Sequence, residues 1–260
     1  MSYNFQDQPS ESQSEWLGCG DKMSKNKPWW HEYKSDIPAK EEGMWKIRRG
    51  KAAPVSRDFP PTRKTPADEV HTALMNYVDY EWKTVMADSV IEIADNLPFV
   101  SKAYGKVLIT GLGLGIVPHM LMEKPNVDEI LIVEKTPEVV DMVAPYLPNG
   151  DITVVLSDAF TYTPRQKFDC AWHDIWTTIG DYMAGETERL FDRYGKYVEG
   201  FQMGWLYEAT RVLRAYSDAE EHEKFEKCEE DLHALTDFEE QRKELADKSK
   251  WDTTTQSKLI

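Results

Sequence analysis

The stretch that most restricts how this chain can fold is Lys106-Val107-Leu108-Ile109-Thr110-Gly111-Leu112-Gly113-Leu114-Gly115. Residues 107–110 form an apolar run with no polar alternation, as expected of a strand buried on both faces of a parallel sheet. Alternate glycines then permit a tight turn and a close approach of backbone to a bound nucleoside, and the chain resumes as a helix from Ile116. Alone, this order equally describes a strand-to-helix turn that binds nothing. It gains content from a second apolar run, 130–133, that ends in Glu134, twenty-three positions beyond Gly111. A carboxylate placed there can accept both hydroxyls of a ribose.

From Lys106 onward strand and helix patterns alternate with short connections, which predicts a Rossmann-like α/β fold: a parallel sheet with helices on both faces. Strands are expected at 107–110, 130–134, 152–156, 168–172 and 200–203, and helices at 116–122, 136–146, 183–194 and 205–213. Thr136 reads as the cap of the second helix, with Pro137 in its first position and Glu138 at the positive end of its dipole. Ligands in such sheets bind beyond the carboxyl ends of the strands. Gly111, Leu112, Gly113, Gly115, Glu134, Asp158, His173 and Asp174 fall at those ends.

The rest of the chain is less regular. Residues 1–27 are polar without apolar periodicity, which suits a flexible tail. The stretch 28–104 is an extension and lead-in: Trp29, Trp30, Tyr33, Trp45 and Phe59 lie among prolines and basic residues, either as packing or as a substrate cover. An edge strand is expected near 44–48, and no assignment is made for 70–86. Asp88 or Ser89 caps a helix running to about Asn96, Pro98 breaks it, and 99–104 is a short helical segment. The core domain then spans 105–216. Beyond it, 217–260 is acidic and helix-favouring, with an amphipathic stripe of Phe225, Cys228, Leu232 and Leu235 suited to docking on its own domain or to pairing with a partner helix. The antiparallel hairpin that commonly finishes such a sheet is not found after Leu213, so the sheet stops at five strands unless the N-terminal segment or a second subunit adds to it.

Composition narrows the class. The formal net charge of −15 opposes a phosphate backbone, so nucleic acid is not an expected partner. The basic cluster of Lys46, Arg48, Arg49, Lys51, Arg57, Arg63 and Lys64 reads as a solvated arm, with a surface for nucleic acid or an acidic partner as the alternative. No apolar run approaches the ~18 residues of a membrane span, and no signal-peptide pattern opens the chain, so a cytoplasmic protein is expected, with no membrane partner. The three cysteines, Cys19, Cys170 and Cys228, are expected as free thiols, and no metal site is expected.

Among nucleotides, the dinucleotide fingerprint asks for glycine where this chain has Ile116, and the Gly-Lys-Ser/Thr of a phosphate loop is absent. Asp158 ends the third strand, where a carboxylate can accept from an adenine amine and the amide of Ala159 or Phe160 can donate to a ring nitrogen. On Gly111 to Gly115, Glu134 and Asp158, from about residue 85 to 205, the sequence resembles class I S-adenosylmethionine-dependent methyltransferases. Its Gly-Leu-Gly-Leu-Gly and His173-Asp174-Ile175-Trp176 blocks are most similar to spermidine-synthase-like members and to methyltransferase-like proteins of tailed phages. The resemblance implies S-adenosylmethionine as cofactor. Gly111, Leu112, Gly113 and Gly115 would then hold its methionine portion, Glu134 its ribose, and Asp158 with Ala159 its adenine.

It also implies a transferase with a small-molecule or protein methyl acceptor, acting as a monomer or homo-oligomer, with host cytoplasm as its place if phage-encoded. Asp174 is a candidate catalytic residue, as proton acceptor or as the group that orients the cofactor's ammonium, and His173 is either a catalytic base or a satisfied structural histidine. Strand alternation points these two side chains to opposite sides, so one proton transfer does not use both. Trp172 and Trp176 are candidates for a substrate wall or for core, and His119 is expected to be structural. Polyamine-forming relatives carry an acid in the glycine loop, where this chain has Leu114, and an Asp-Ser-Ser-Asp-Pro block in place of His173 to Trp176. Aminopropyl transfer is therefore the second expectation. A cofactor-binding or assembly protein without catalysis is the third.

Overall fold

The computed structural model describes residues 2–4, 33–51 and 70–217. In chain order the strands and helices are β1 (Ser2–Asn4), β2 (Lys40–Glu42), β3 (Trp45–Lys51), β4 (Val70–Val78), β5 (Glu81–Ala87), α1 (Val90–Lys102), β6 (Gly105–Thr110), α2 (Ile116–Met122), β7 (Val127–Glu134) and α3 (Pro137–Val143). A 3-10 turn at Ala144–Tyr146 leads to β8 (Ile152–Leu156), β9 (Phe168–His173), α4 (Tyr182–Tyr194), β10 (Val198–Gly204) and α5 (Tyr207–Ser217).

Two sheets result. The larger has the order β1-β8-β7-β6-β9-β10, and its five strands from β6 to β10 run parallel. The chain moves outward from β6 through β7 to β8, then returns to β9 on the other side. Right-handed crossovers therefore put α2 and α3 on one face and α4 on the other, which is the Rossmann-like arrangement. Coverage of both faces explains why all of Val107–Thr110 and Cys170–His173 are buried.

The sixth strand is a departure from expectation. Ser2–Asn4, within the stretch read as a flexible tail, pairs antiparallel with β8. It extends the edge opposite the one a terminal hairpin after β10 would occupy. The C-terminal stripe around Phe225 to Leu235 lies outside the described residues. So do Cys19, Cys228, Trp29, Trp30, Phe59, Arg57, Arg63 and Lys64.

The smaller sheet, β2-β3-β4-β5, is antiparallel throughout. Strand β3, expected at an edge, is interior, because the three residues of β2 cover one side and β4 the other. The unassigned stretch 70–86 is a hairpin, β4-β5. Its turn residues, Asp79 and Tyr80, have φ of 53° and 66°. Positive φ at both positions is what a two-residue hairpin turn needs for its twist to match the strands.

Pro98 does not end α1, which runs unbroken from Val90 to Lys102. The proline removes one amide donor, but Ile93, Leu97, Phe99 and Val100 bury the helix against the core, and Phe99 stacks on Trp172 at 5.1 Å. The Ser89 hydroxyl caps its start by accepting from the Glu92 amide, and Lys124 Nζ donates to the carbonyls of Val100 and Ser101 at its end. Burial lowers the Lys124 pKa. Thr136 sits at the cap position of α3 but makes no side-chain cap bond; the Glu134 carboxylate accepts from the Thr136 amide instead. Helix α5 begins at Tyr207 rather than Trp205, because Leu206 adopts a φ of 51° and turns the chain there. No helix among the described residues is long and apolar enough to cross a membrane.

A buried carboxylate ties the segment before β2 to the small sheet. Asp88, fully buried between β5 and α1, accepts from the Ser35 amide at 2.8 Å and the Thr72 amide at 2.7 Å, with His71 Nδ1 at 3.5 Å. It thus fastens residues 33–37 to the small sheet. Removing it leaves two buried amides without an acceptor, so Asp88→Ala should cost about 2 to 4 kcal/mol. Chemical denaturation checks this, with Asp88→Asn, which keeps one acceptor oxygen, losing less.

Candidate functional site

The carboxyl ends of β6, β7, β8 and β9 open into one cleft of about 280 Å³. Its floor is the switch point of the sheet, between β6 and β9, where consecutive crossovers diverge. Gly111, Gly113, Val133, Glu134, Asp158, Ala159 and Asp174 line it from the parallel sheet. Trp45, Leu74, Val85 and Met86 of the small sheet form the facing wall, with Glu92 of α1 and Trp176 and Trp205 at the β9 and β10 exits.

Backbone constraint explains the glycines. Gly111 has a φ of +92°, and a Cβ there would lie 1.8 Å from the Asp174 carbonyl oxygen. The glycine loop and the β9 exit thus touch backbone to backbone. Gly113 has a φ of +53°, and a Cβ would lie 2.6 Å from Met86 Sδ. Gly115 is at the N-cap of α2 and, like Leu112, does not line the cleft. Leu112 is buried in the core and offers its amide rather than its side chain to the rim.

Glu134 organises that rim. One carboxylate oxygen accepts from the Leu112 amide, the other from the Lys135 and Thr136 amides, each at 2.8 Å. Three of the carboxylate's roughly four lone-pair sites are so engaged. The carboxylate ties the glycine loop to the start of α3, and the residue lines the cleft. Asp158 accepts from the Phe160 amide at 2.8 Å and lies 3.9 Å from Lys135 Nζ. The Phe160 amide is therefore turned onto Asp158, leaving the Ala159 amide as the candidate donor to a ring. Ala159 is held from behind by the Tyr194 hydroxyl, which donates to its carbonyl at 2.6 Å. Burial pushes the Tyr194 hydroxyl up to about 12, so it stays a donor.

Asp174 and His173 separate as strand alternation requires. Asp174 lines the cleft, and its amide donates to the Thr110 carbonyl at 2.9 Å. His173 is fully buried on the other side of the strand. Its Nε2 lies 3.1 Å from Gln202 Oε1, whose amide nitrogen donates to the Phe191 carbonyl, and its Nδ1 lies 2.9 Å from Thr110 Oγ1. Nε2 thus carries the proton, and Nδ1 accepts from the threonine hydroxyl. Burial lowers the imidazole pKa to about 4. With both nitrogens engaged and its side chain fully buried, His173 sits in the core rather than among the cleft-lining residues, as the structural-histidine alternative has it.

His119 Nδ1 donates to the Gly115 carbonyl at 2.7 Å, and its ring packs 5.6 Å from Tyr33. Trp172 belongs to the core, whereas Trp176 lines the cleft, its indole donating to Glu186 at 2.7 Å. Cys170 is a buried thiol that burial pushes up to about 11, so it is unsuited to nucleophilic work. Among the described residues no group of three or more His, Cys, Asp or Glu is placed to hold a metal ion.

Sequence reasoning missed Leu74, Val85, Met86, Glu92 and Trp205. None carries a local signal, since each reaches the cleft through tertiary packing. Trp45 falls within the aromatic stretch that allowed a substrate cover.

No protein-family model and no curated protein matches the chain. Solved structures do resemble it. An amino pentose methyltransferase from Micromonospora echinaspora, bound to S-adenosylmethionine, is similar over 41% of this chain and 43% of its own at 15% identity and a TM-score of 0.32. An N-methyltransferase from Bradyrhizobium japonicum, in complex with S-adenosylhomocysteine, is similar over 40% and 53% at 15% identity and a TM-score of 0.32. Spermidine synthase from Thermotoga maritima is similar over 64% and 55% at 17% identity and a TM-score of 0.42. The similarity spans about half the length of these structures. The fold assignment itself stands on strand order and parallel register.

The buried imidazole predicts a pH dependence. His173 has a folded pKa near 4 against an ordinary value of 6.5, so the unfolded chain takes the proton first as the solution is acidified. Its contribution to stability is complete above 6.5 and declines between about 6.5 and 4. Thermal unfolding across that window should show a shallower acid slope for His173→Gln than for the parent; equal slopes would contradict the assignment.

Proposed function

We propose that the chain is an S-adenosylmethionine-dependent methyltransferase acting on a small-molecule or protein acceptor. The observation that carries this reading is the convergence of Gly111, Gly113, Glu134, Asp158, Ala159 and Asp174 on one cleft at the carboxyl ends of adjacent parallel strands. The donor set suits an adenosyl group. Glu134 retains acceptor capacity for one ribose hydroxyl, Asp158 can accept from an exocyclic amine, and Val133, Val139 and Phe160 supply apolar surface for a ring. The cleft is near the lower end of the ~300 to 1,000 Å³ common for small-molecule pockets, a size that favours a nucleoside and a small acceptor over a large one.

When bound, the cofactor supplies an electrophilic methyl group on a sulfonium. The chain's own residues contribute position: the Gly111 to Gly115 loop the methionine end, Glu134 the ribose, Asp158 and Ala159 the base. Asp174 is the candidate acceptor for the proton of an amine or hydroxyl nucleophile. In this reading residues 105–216 bind the cofactor, 28–104 supply the facing wall, and 217–260 are left for docking or partners. Nucleic acid and membrane have no part in it, and the kinship with phage proteins rests on the Gly-Leu-Gly-Leu-Gly and His-Asp-Ile-Trp blocks alone.

One observation favours aminopropyl transfer as a second reading. The glycine loop offers few donors to a methionine carboxylate: the amides of Gly111, Leu112, Leu114 and Gly115 donate to Val133 O, Glu134, Met86 Sδ and Leu112 O. Lys135 is the only lysine or arginine among the described lining residues, and it sits beside Asp158. A decarboxylated cofactor would need no such donors. Leu114 and the His173 to Trp176 block weigh against it. Incubation with putrescine and decarboxylated S-adenosylmethionine, followed by analysis for spermidine, separates the two.

Calorimetric titration with S-adenosylhomocysteine tests the leading reading. Binding is expected, and Glu134→Ala should weaken it by about 1 to 3 kcal/mol through loss of a charge-assisted hydrogen bond. Folded protein that binds nothing at millimolar ligand would overturn it.

A further inference from the structure

Met86 comes from a different sheet than the residues given a part in holding the cofactor so far, and three observations place it against the glycine loop. Its sulfur accepts from the Leu114 amide at 3.2 Å. The same sulfur occupies the space a side chain at position 113 would need. The residue lines the cleft alongside Gly111, Gly113 and Glu134 while remaining only 8% exposed.

The strand is irregular in a way that produces this placement. Leu74 pairs with Met86 and Met75 with Thr84, so Val85 is an extra residue on β5. In a regular strand Val85 and Met86 would face opposite sides. The bulge lets both line the same cleft, the kind of re-aiming for which bulges beside binding sites are retained. A thioether suits the position chemically. It is a weak acceptor, able to hold one loop amide, and it is polarisable, so it packs against a sulfur-bearing aliphatic chain without demanding a hydrogen bond in return.

From this we infer that Met86 is a cofactor-contacting residue supplied by the small sheet, packing on the amino-acid end of the bound adenosyl thioether. The inference rests on the adenosyl reading of the cleft and adds to it a determinant outside the parallel-sheet domain. It also makes the small sheet part of the binding site, because the β5 bulge sets where the sulfur stands.

Titrations with two probes, S-adenosylhomocysteine and adenosine, test it on the intact chain. Adenosine reaches only the Glu134 and Asp158 end. Met86→Ala should weaken S-adenosylhomocysteine about tenfold and Met86→Leu, which keeps the volume but not the acceptor, about threefold, both with adenosine unchanged. Glu134→Ala should weaken both probes. Met86 variants that bind S-adenosylhomocysteine as the parent does, while Glu134→Ala weakens it, would overturn the inference and leave the adenosyl reading intact. Equal losses for both probes would also overturn it, since they would mark general disruption. A parent protein that binds neither probe would instead remove the adenosyl reading itself. Should Met86→Ala fail to fold, Met86→Leu with the two probes decides the matter alone.

Discussion

The Glu134 carboxylate is the interaction on which the rest of the cleft depends. It stands at the end of β7 and gathers three backbone amides from two separate segments, the glycine loop and the start of α3. Hydrogen bonds to a charged acceptor contribute about 1.5 to 3 kcal/mol each where they are partly shielded from water. The Glu134 main chain extends the same function sideways, its carbonyl accepting from the Ser157 amide and so fixing where β8 delivers Asp158. One residue thereby sets the spacing between the loop, the helix and the next strand.

Two contacts of different character position the small sheet. Asp88 makes a charged, fully buried connection to residues 33–37 and β4. Met86 makes a soft one to the glycine loop. Between these points the sheet presents Trp45, Leu74 and Val85 to the cleft. The parallel sheet supplies carboxylates and backbone, and the antiparallel sheet supplies an apolar wall. A polar, charge-rich floor facing an apolar cover excludes water from one side of a bound group and holds its polar edges on the other.

Legibility followed the range of the interactions involved. The parallel core was readable because each of its elements is specified within a few residues: apolar runs at 107–110 and 152–156, glycines after the first, and Pro137 in the first position of α3. The hairpin at 70–87 was not readable. Its turn is Asp79-Tyr80, without the glycine or asparagine that announces positive φ, and its twist is imposed by pairing. Pro98 misled for a related reason: packing of Leu97, Phe99 and Val100 outweighs a lost helical hydrogen bond. The N-terminal strand β1 was invisible because three polar residues acquire a strand only from the open edge of β8.

What the sequence determined by itself is the class of fold and the short list of polar groups at the strand ends, since periodicity and glycine placement are local properties of the chain. Tertiary structure alone decided which of those groups share a cleft. It put Asp174 in and His173 out, although they are adjacent, because one faces the switch point and the other the packed ring of Tyr194. It also brought Met86, Glu92 and Trp205 to the same cleft as Gly111 from scattered positions. Closing the chain onto itself creates that neighbourhood, and no spacing along the sequence encodes it.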